Sequence, residues 1–513
     1  MKKFLSVILS LTIISCSFFT SAIKTEASTD LSNATLLNTY GKAFGKVGTA
    51  MGSYQMSDSN AMNFAKKQFN SITPENEMKP DAILGSSATL ISVAQAKSLG
   101  YYIPSGYTES TVPKLNFSTV DKMLQTCYEN GMSMRGHTLV WHSQTPSWLF
   151  KTNYNGSGSY VSQSVMNARM EFYIKSVMGH VFSSKYGSVI YAWDVANEYL
   201  HASGSGSGWQ MIYGNNLGTQ AGFIKSAFQY AYQELQTYGL TDKVKLFYND
   251  YNEYMEVNDI INLIKYINSN GKICAGIGMQ SHLSTTFPSV SSYKSAMQSF
   301  VNAGFEIQIT ELDVGCTDLN VQAKYYYDLM SAILSIKKAG GNISAIVWWG
   351  LGDNNSWRSS DKPLLFSSIG VPKSAYTSVL QAYFDSGYTS TPTPTVTPKP
   401  TVAPTAVPTI TPKPTAIPTV TPKPTTVPTV TPTPTAAGNI QVKMFNGTTA
   451  SSSSAINPKF ILTNTGNTAI NLSNVKVRYY YTVDGDKAQN FWCDWSTIGA
   501  GNVTGKMVKM TTP

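Results

Sequence analysis

Charge is scarce in this chain. Of 513 residues only 13% are Asp, Glu, Lys or Arg, against roughly 25% in ordinary soluble proteins. Cysteine is scarce too: Cys16, Cys127, Cys274, Cys316 and Cys493 are widely scattered, with no C-x-x-C pair. That spacing excludes a disulfide scaffold and the common zinc sites. Neither a Gly-x-Ser-x-Gly elbow for acyl transfer nor a Gly-x-Gly-x-x-Gly dinucleotide loop is present. Beyond residue 23 no apolar stretch is long enough to span a membrane. What is abundant is apolar and aromatic: 42% hydrophobic residues, with 30 Tyr and 9 Trp. A wholly disordered chain is therefore excluded.

The formal charge of +9 invites a nucleic-acid or membrane partner until it is located. Residues 1–28 carry +2, residues 389–438 carry +3 and residues 439–513 carry +4, which leaves 29–388 neutral. No basic patch dominates the largest segment, and neither partner is expected.

Met1-Lys2-Lys3 is a positive n-region, followed by an uncharged, Leu/Ile/Phe-rich stretch to Ile23. Thr25 and Ala27 occupy the −3 and −1 positions of a cut after Ala27. Residues 1–28 thus read as a secretory signal, and the mature protein is expected to be extracellular. A membrane anchor is the first competing reading. A lipoprotein signal at Ile13-Ile14-Ser15-Cys16 is the second.

Residues 389–438 hold 14 of the 24 prolines, interleaved with Thr, and repeat TVTPKPT and TITPKPT. Proline fixes φ and removes donors, so an extended polyproline-II spacer is predicted. The dense Thr could carry O-glycans. Before the spacer, eight strand-like runs are predicted at 47–51, 69–78, 133–142, 190–198, 245–252, 276–282, 306–313 and 345–352. Each is followed by room for a loop and a helix. One such helix is marked by the stripe Met166, Met170, Tyr173, Val177, Val181. Eight β-then-α units predict an α/β fold, a (β/α)8 barrel spanning 29–388. Residues 439–513 alternate apolar and aromatic residues between Asn-Gly, Thr-Gly and Asp-Gly turns, as in an antiparallel β module.

Active sites of such barrels lie where the strands end. The run ends here carry Glu75-Asn76-Glu77-Met78-Lys79, His137, Trp141, His142, Asn197-Glu198, Asn249-Asp250-Tyr251-Asn252, Gln280, His282, Glu311, Asp313, Trp348 and Trp349. Singly, each has a bland explanation as a solvated loop acid, a satisfied histidine or a packed indole. Together they converge on one face of a charge-poor domain. No His-x-His or His-Glu-x-x-His spacing supports a metal, and none is expected in the barrel. His137 and His142, five apart, are expected on opposite faces of their strand. Two acids framed by indoles, amides and imidazoles suit sugar chemistry: one acid protonates a leaving oxygen while a carboxylate faces the anomeric carbon.

Residues 29–388 closely resemble glycoside hydrolase family 10, the retaining endo-β-1,4-xylanases. The resemblance rests on an ordered set. It comprises Glu75–Lys79, Arg135-Gly136-His137-Thr138-Leu139-Val140-Trp141-His142, Trp193-Asp194-Val195-Ala196-Asn197-Glu198, Gln280-Ser281-His282, Ile309-Thr310-Glu311-Leu312-Asp313, and Trp349 with Ser356-Trp357-Arg358. It implies that Glu198, ending strand four, is the acid/base and that Glu311, ending strand seven, is the nucleophile. Asn197 would bind the hydroxyl beside the reacting carbon. His282 and Asp313 would hold Glu311 ionised. Glu75, Asn76, Lys79, His137, Trp141 and Gln280 would bind the non-reducing side, and Trp349 and Trp357 would wall the cleft. The implied substrates are xylan and xylo-oligosaccharides, with no cofactor required and a monomer expected. The loop 199–209 departs from the family in its Gly and Ser content. Cys274 and Cys316 should lie near opposite barrel ends, too far apart for a disulfide.

Residues 439–513 resemble the first half of a family 3 carbohydrate-binding module. The match is carried by Asn457-Pro458-Lys459-Phe460, Asn464-Thr465-Gly466, Arg478–Gly485 and Phe491-Trp492-Cys493-Asp494. It implies a cellulose surface as a partner and, through Thr482 and Asp484, part of a structural calcium site. Two other functions stay open on the residues alone: a β-1,4-glucanase or cellobiosidase-like enzyme, and a non-catalytic polysaccharide-binding surface protein. The Glu198 and Glu311 pair argues against the second.

Overall fold

The structure, a computed structural model, describes residues 31–388 except 203 and 317. It also describes 440–446, 458–479 except 467, and scattered positions from 490 to 508. The expected signal, the spacer, and Thr482 and Asp484 of the calcium expectation lie outside the described residues.

All eight predicted runs form strands: β1 Lys46–Met51, β2 Ser71–Pro74, β3 Ser133–Trp141, β4 Ile190–Asn197, β5 Lys245–Asp250, β6 Gly276–Met279, β7 Glu306–Gly315 and β8 Ile343–Trp348. Neighbours pair in parallel in chain order, and β8 pairs back onto β1 with Thr49 opposite Trp348, which closes the barrel. A parallel return needs a crossover, and eight helices supply it. They are α1 Ser59–Gln68, α2 Ser118–Glu129, α3 Gln163–Ser183, α4 Gly222–Thr237, α5 Val257–Ile267, α6 Val290–Asn302, α7 Leu319–Lys338 and α8 Ser374–Asp385. The stripe read from sequence, Met166 to Val181, is the buried face of α3. Side-chain caps start several helices, with Ser162, Ser289 and Asp318 each accepting from a first-turn N–H.

Six of the eight strands stop short of their runs at the functional end, whereas β7 runs two residues past its own. β2 stops at Pro74, which has no N–H for the ladder, so Glu75–Lys79 form a turn. Glu198 lies one residue past β4 rather than ending it. Glu311 is a larger correction. It sits inside β7 with four strand residues still to follow. The β7–β8 register slips between Ile309 and Leu312, and a bulge there lets a mid-strand carboxyl re-aim. Similar slips occur between His137 and Val140 on β3 and between Asp194 and Ala196 on β4. The first breaks the simple alternation from which His137 and His142 were expected to face opposite ways.

Cys127, Cys274 and Cys316 form no disulfide, as expected for the last two. In the second unit, β9 Ile440–Asn446 and β10 Pro458–Asn464 pair antiparallel, with Met444 opposite Phe460. Residues 475–479, within the apolar and aromatic pattern of the tail, are not a strand where described.

Candidate active site

Glu198 opens the loop after β4 with φ +56°. A residue with a Cβ is strained there by roughly 1–2 kcal/mol. The turn is secured by its N–H, which donates to the Asn249 carbonyl at 2.8 Å. Both carboxyl oxygens are gripped: Trp141 Nε1 donates to Oε2 at 2.7 Å and Gln280 Nε2 donates to Oε1 at 2.9 Å. Burial raises this carboxyl above its ordinary value, the two donors offset part of that, and the charges of Asp250 and Glu311 add to it.

Glu311 is held differently. Its Oε1 accepts from Asn249 Nδ2 at 2.8 Å, and its Oε2 lies 3.1 Å from His282 Nε2. Burial works to raise it, but the His282 hydrogen bond, nearby His137 and the Asn249 donor outweigh that and leave it below the ordinary range. His282 is itself opposed by burial yet raised to about 10 by Asp313 and Glu311, so it is a cation at neutral pH. Its Nδ1 lies 3.1 Å from Asp313 Oδ2, close enough for an ion pair although the N–H is not aimed straight at the oxygen.

One run of hydrogen bonds joins the two unlike carboxyls. Gln280 Nε2 donates both to Glu198 and, at 3.1 Å, to Asn197 Oδ1. Asn249 Nδ2 donates to the same Asn197 oxygen and to Glu311, each at 2.8 Å. Asn197 Oδ1 is thus consumed as an acceptor, and its amide nitrogen has no hydrogen-bond partner among the described residues.

The remaining expected residues line the same mouth. Lys79 Nζ donates to Asn76 Oδ1 at 2.9 Å and lies 5.0 Å above the Trp141 ring. Burial lowers Lys79, while Glu311, Glu75, Asp81 and Glu198 pull it back up, so its charge sits in the field of both carboxyls. Glu75 is half-buried and raised by burial, against the pull of Lys79. His137 is buried, with Nδ1 3.0 Å from Asp194 Oδ2 and its ring edge-on to Trp349 at 5.6 Å. Trp349 is buried, whereas Trp357 is 61% exposed and donates Nε1 to Asp313 Oδ2 at 3.0 Å. Trp141 and Gln280, expected as sugar binders, spend their N–H groups on Glu198.

Several contributors were not assigned from sequence. Asn249 was visible at a strand end but given no role. Arg135, fully buried, makes a two-pronged pair with Asp194 at 2.6 and 2.8 Å and donates to Gln308. The Gly/Ser loop delivers Trp209, which is buried beside Phe150 and donates to the Trp141 carbonyl at 3.0 Å. His201, Asp250 and Glu256 could together face a cation. However, His201 Nδ1 is bonded to Asp250 at 2.7 Å and Nε2 lies 3.6 Å from Glu256. Its imidazole is lowered by burial but raised overall by these carboxylates, and its ring stacks on Tyr251 at 3.9 Å.

One carboxyl raised above its ordinary value and another held below it, set apart by their surroundings in one barrel mouth, match the two unlike acids that glycoside cleavage uses. Residues 35–382 match the model of glycosyl hydrolase family 10, and the chain belongs to that family. Residues 441–513 match the cellulose binding domain model. Endo-1,4-beta-xylanase A of Butyrivibrio fibrisolvens is 52% identical over 402 residues, covering 77% of this chain and 96% of that protein. Endo-1,4-beta-xylanase Y of Acetivibrio thermocellus is 36% identical over 375 residues, covering 68% of this chain but 32% of its own length. Among solved structures, a Clostridium thermocellum CBM22-1–GH10 xylanase fragment complexed with xylohexaose is 34% identical with a TM-score of 0.55, covering 65% of each chain. A Caldicellulosiruptor owensensis endo-1,4-beta-xylanase is 30% identical with a TM-score of 0.53, covering 67% of this chain and 99% of that one.

Proposed function

We propose that this protein is an extracellular retaining endo-β-1,4-xylanase, with Glu198 as acid/base and Glu311 as nucleophile. The carrying observation is the opposite tuning of these two carboxyls, joined by the Gln280–Asn197–Asn249 run. In the first step Glu311 attacks the anomeric carbon and Glu198 gives its proton to the departing oxygen, so the glycosidic bond breaks as the glycosyl-enzyme ester forms. The Glu311 charge is then gone, and with it one cause of the raised Glu198 carboxyl, so Glu198 stays ionised and free to act as base. Water attacks the anomeric carbon, gives its proton to Glu198 and releases Glu311, so two inversions retain the configuration.

Asn197 Nδ2 is suited to the hydroxyl beside the reacting carbon. Asn76, Lys79 and His137 supply polar contacts on the non-reducing side, and Trp349 and Trp357 supply apolar faces. The choice of xylan is supported by the xylanases this chain is similar to. Residues 29–388 serve as the catalytic unit, 389–438 as the spacer, and 439–513 as a cellulose-directed module supported by its family match. Secretion is supported by the character of residues 1–28. Reducing-sugar release from xylan and from carboxymethylcellulose tests the reading: fast release from xylan alone is expected, and a preference for the glucan would replace it.

A further inference from the structure

Glu253 is a fully buried carboxyl that the reaction above does not use. It follows β5, and its Oε1 accepts from Ser281 Oγ at 3.0 Å. Ser281 Oγ also meets Tyr293 Oη of α6 at 2.7 Å, so Tyr293, Ser281 and Glu253 form a relay of hydroxyl, hydroxyl and carboxyl. Glu253 Oε2 is buried without a hydrogen-bond partner. Burial opposes its ionisation, its own backbone N–H and the Ser281 hydroxyl favour it, Asp250 at the end of β5 opposes it, and His282 beyond β6 favours it. Tyr254 and Tyr293 lie in its field.

Ser281 is a junction. Its φ is +61°, a conformation a serine keeps only when its surroundings impose it. On one side Gln280 donates to Glu198, and on the other His282 holds Glu311. One donor to each of the two catalytic carboxyls is therefore an immediate neighbour of one strained residue, whose hydroxyl is held by Glu253, Tyr293 and the Met279 carbonyl.

We propose that Glu253 is a positioning residue for the glycosidase reaction, fixing Ser281 so that Gln280 and His282 meet Glu198 and Glu311 together. This rests on the catalytic roles proposed above. The neutral acid is the form the site favours: burial, outweighing the residue's own backbone N–H, the Ser281 bond and His282, lifts the carboxyl to about 7. A dry pocket with an unpartnered oxygen disfavours the anion.

The pH consequence has a definite sign. Gln280 favours ionised Glu198, and His282 favours ionised Glu311. Releasing both raises both carboxyls, so the whole profile of kcat/KM moves to higher pH.

The test uses the full chain on an aryl β-xylobioside. Glu253→Ala and Ser281→Ala are expected to lower kcat by roughly ten- to a hundredfold, with KM little changed and both pH limbs shifted upward. Glu253→Gln keeps the acceptor for Ser281 without the charge, and is expected to recover most of kcat and restore the profile. If Glu253→Ala does not fold, Ser281→Ala and Glu253→Gln carry the test. Alanine variants with wild-type kcat and unshifted limbs, or a Gln variant as impaired as the Ala one, would overturn the proposal. A wild type inactive on the substrate would instead sink the function itself.

Discussion

Asn249 Nδ2 donates to Glu311 Oε1 and to Asn197 Oδ1 at 2.8 Å each, while Asn249 Oδ1 accepts from Thr310 Oγ1 at 2.7 Å. One amide therefore orients the nucleophile and the residue beside the acid, and the hydroxyl next to the nucleophile fixes which way that amide points. Asn249→Ala removes a donor to a buried charge, an interaction worth about 1.5–3 kcal/mol. A fall in kcat/KM of roughly ten- to a hundredfold is expected, measured on an aryl xylobioside. Thr310→Val should cost less, since the amide could still donate after rotating.

The pH profile of kcat/KM should be bell-shaped. Glu311 must be ionised, so activity is lost as pH falls through its lowered value, and Glu198 must be protonated, so activity is lost as pH rises through its raised value. Trp141→Phe deletes an indole N–H that favours ionised Glu198. The alkaline limb should then move up by on the order of one unit, with the acid limb in place. A downward shift would contradict this account of Glu198.

The barrel and both carboxyls were legible because they depend on local pattern. Eight apolar runs must bury somewhere, and the acids sit in distinctive strings. What sequence hid was register. Glu311 is mid-strand, and only the slip between Ile309 and Leu312 re-aims it. A bulge leaves no mark in an apolar alternation this short. Asn249 stood in view at the end of β5, but its partners come from β4 and β7; Glu253, three residues beyond β5, is held from the segment after β6. Trp209 closes a loop noted only for its Gly and Ser content, and its contacts with Phe150 and the Trp141 carbonyl come from segments distant in sequence.

Arg135 and Asp194 are both fully buried and paired, with His137 on the same carboxylate. Asp194→Asn leaves the guanidinium uncompensated and should destabilise the barrel by about 3–5 kcal/mol, read as a drop in denaturation midpoint. Burial opposes the Asp194 charge, but Arg135 and His137 hold the carboxyl below its ordinary value. Its stabilisation is thus present above the unfolded carboxyl value and is lost as pH falls through the folded one. Asp194→Asn removes this pH-dependent contribution, so the variant's stability is expected to fall less steeply with falling pH than the wild type's.

Trp209→Ala opens a cavity beside Phe150 and removes the donor to the Trp141 carbonyl. A destabilisation of about 3–5 kcal/mol is expected. The loosened Trp141 should also lower kcat more than it raises KM, as steady-state kinetics on xylo-oligosaccharides would report.

The account turns on which carboxyl is the nucleophile, and azide reports it directly. Glu198→Ala and Glu311→Ala are each turned over on an aryl β-xylobioside with azide, and the anomeric configuration of the product is read by NMR. In Glu198→Ala, azide should capture the ester on Glu311 and give the β-xylobiosyl azide after two inversions. Glu311→Ala should release no reducing sugar from xylan, and with azide should yield the α-product by a single inversion or none at all. A β-azide from Glu311→Ala, or near-wild-type xylan cleavage by it, would contradict the assignment.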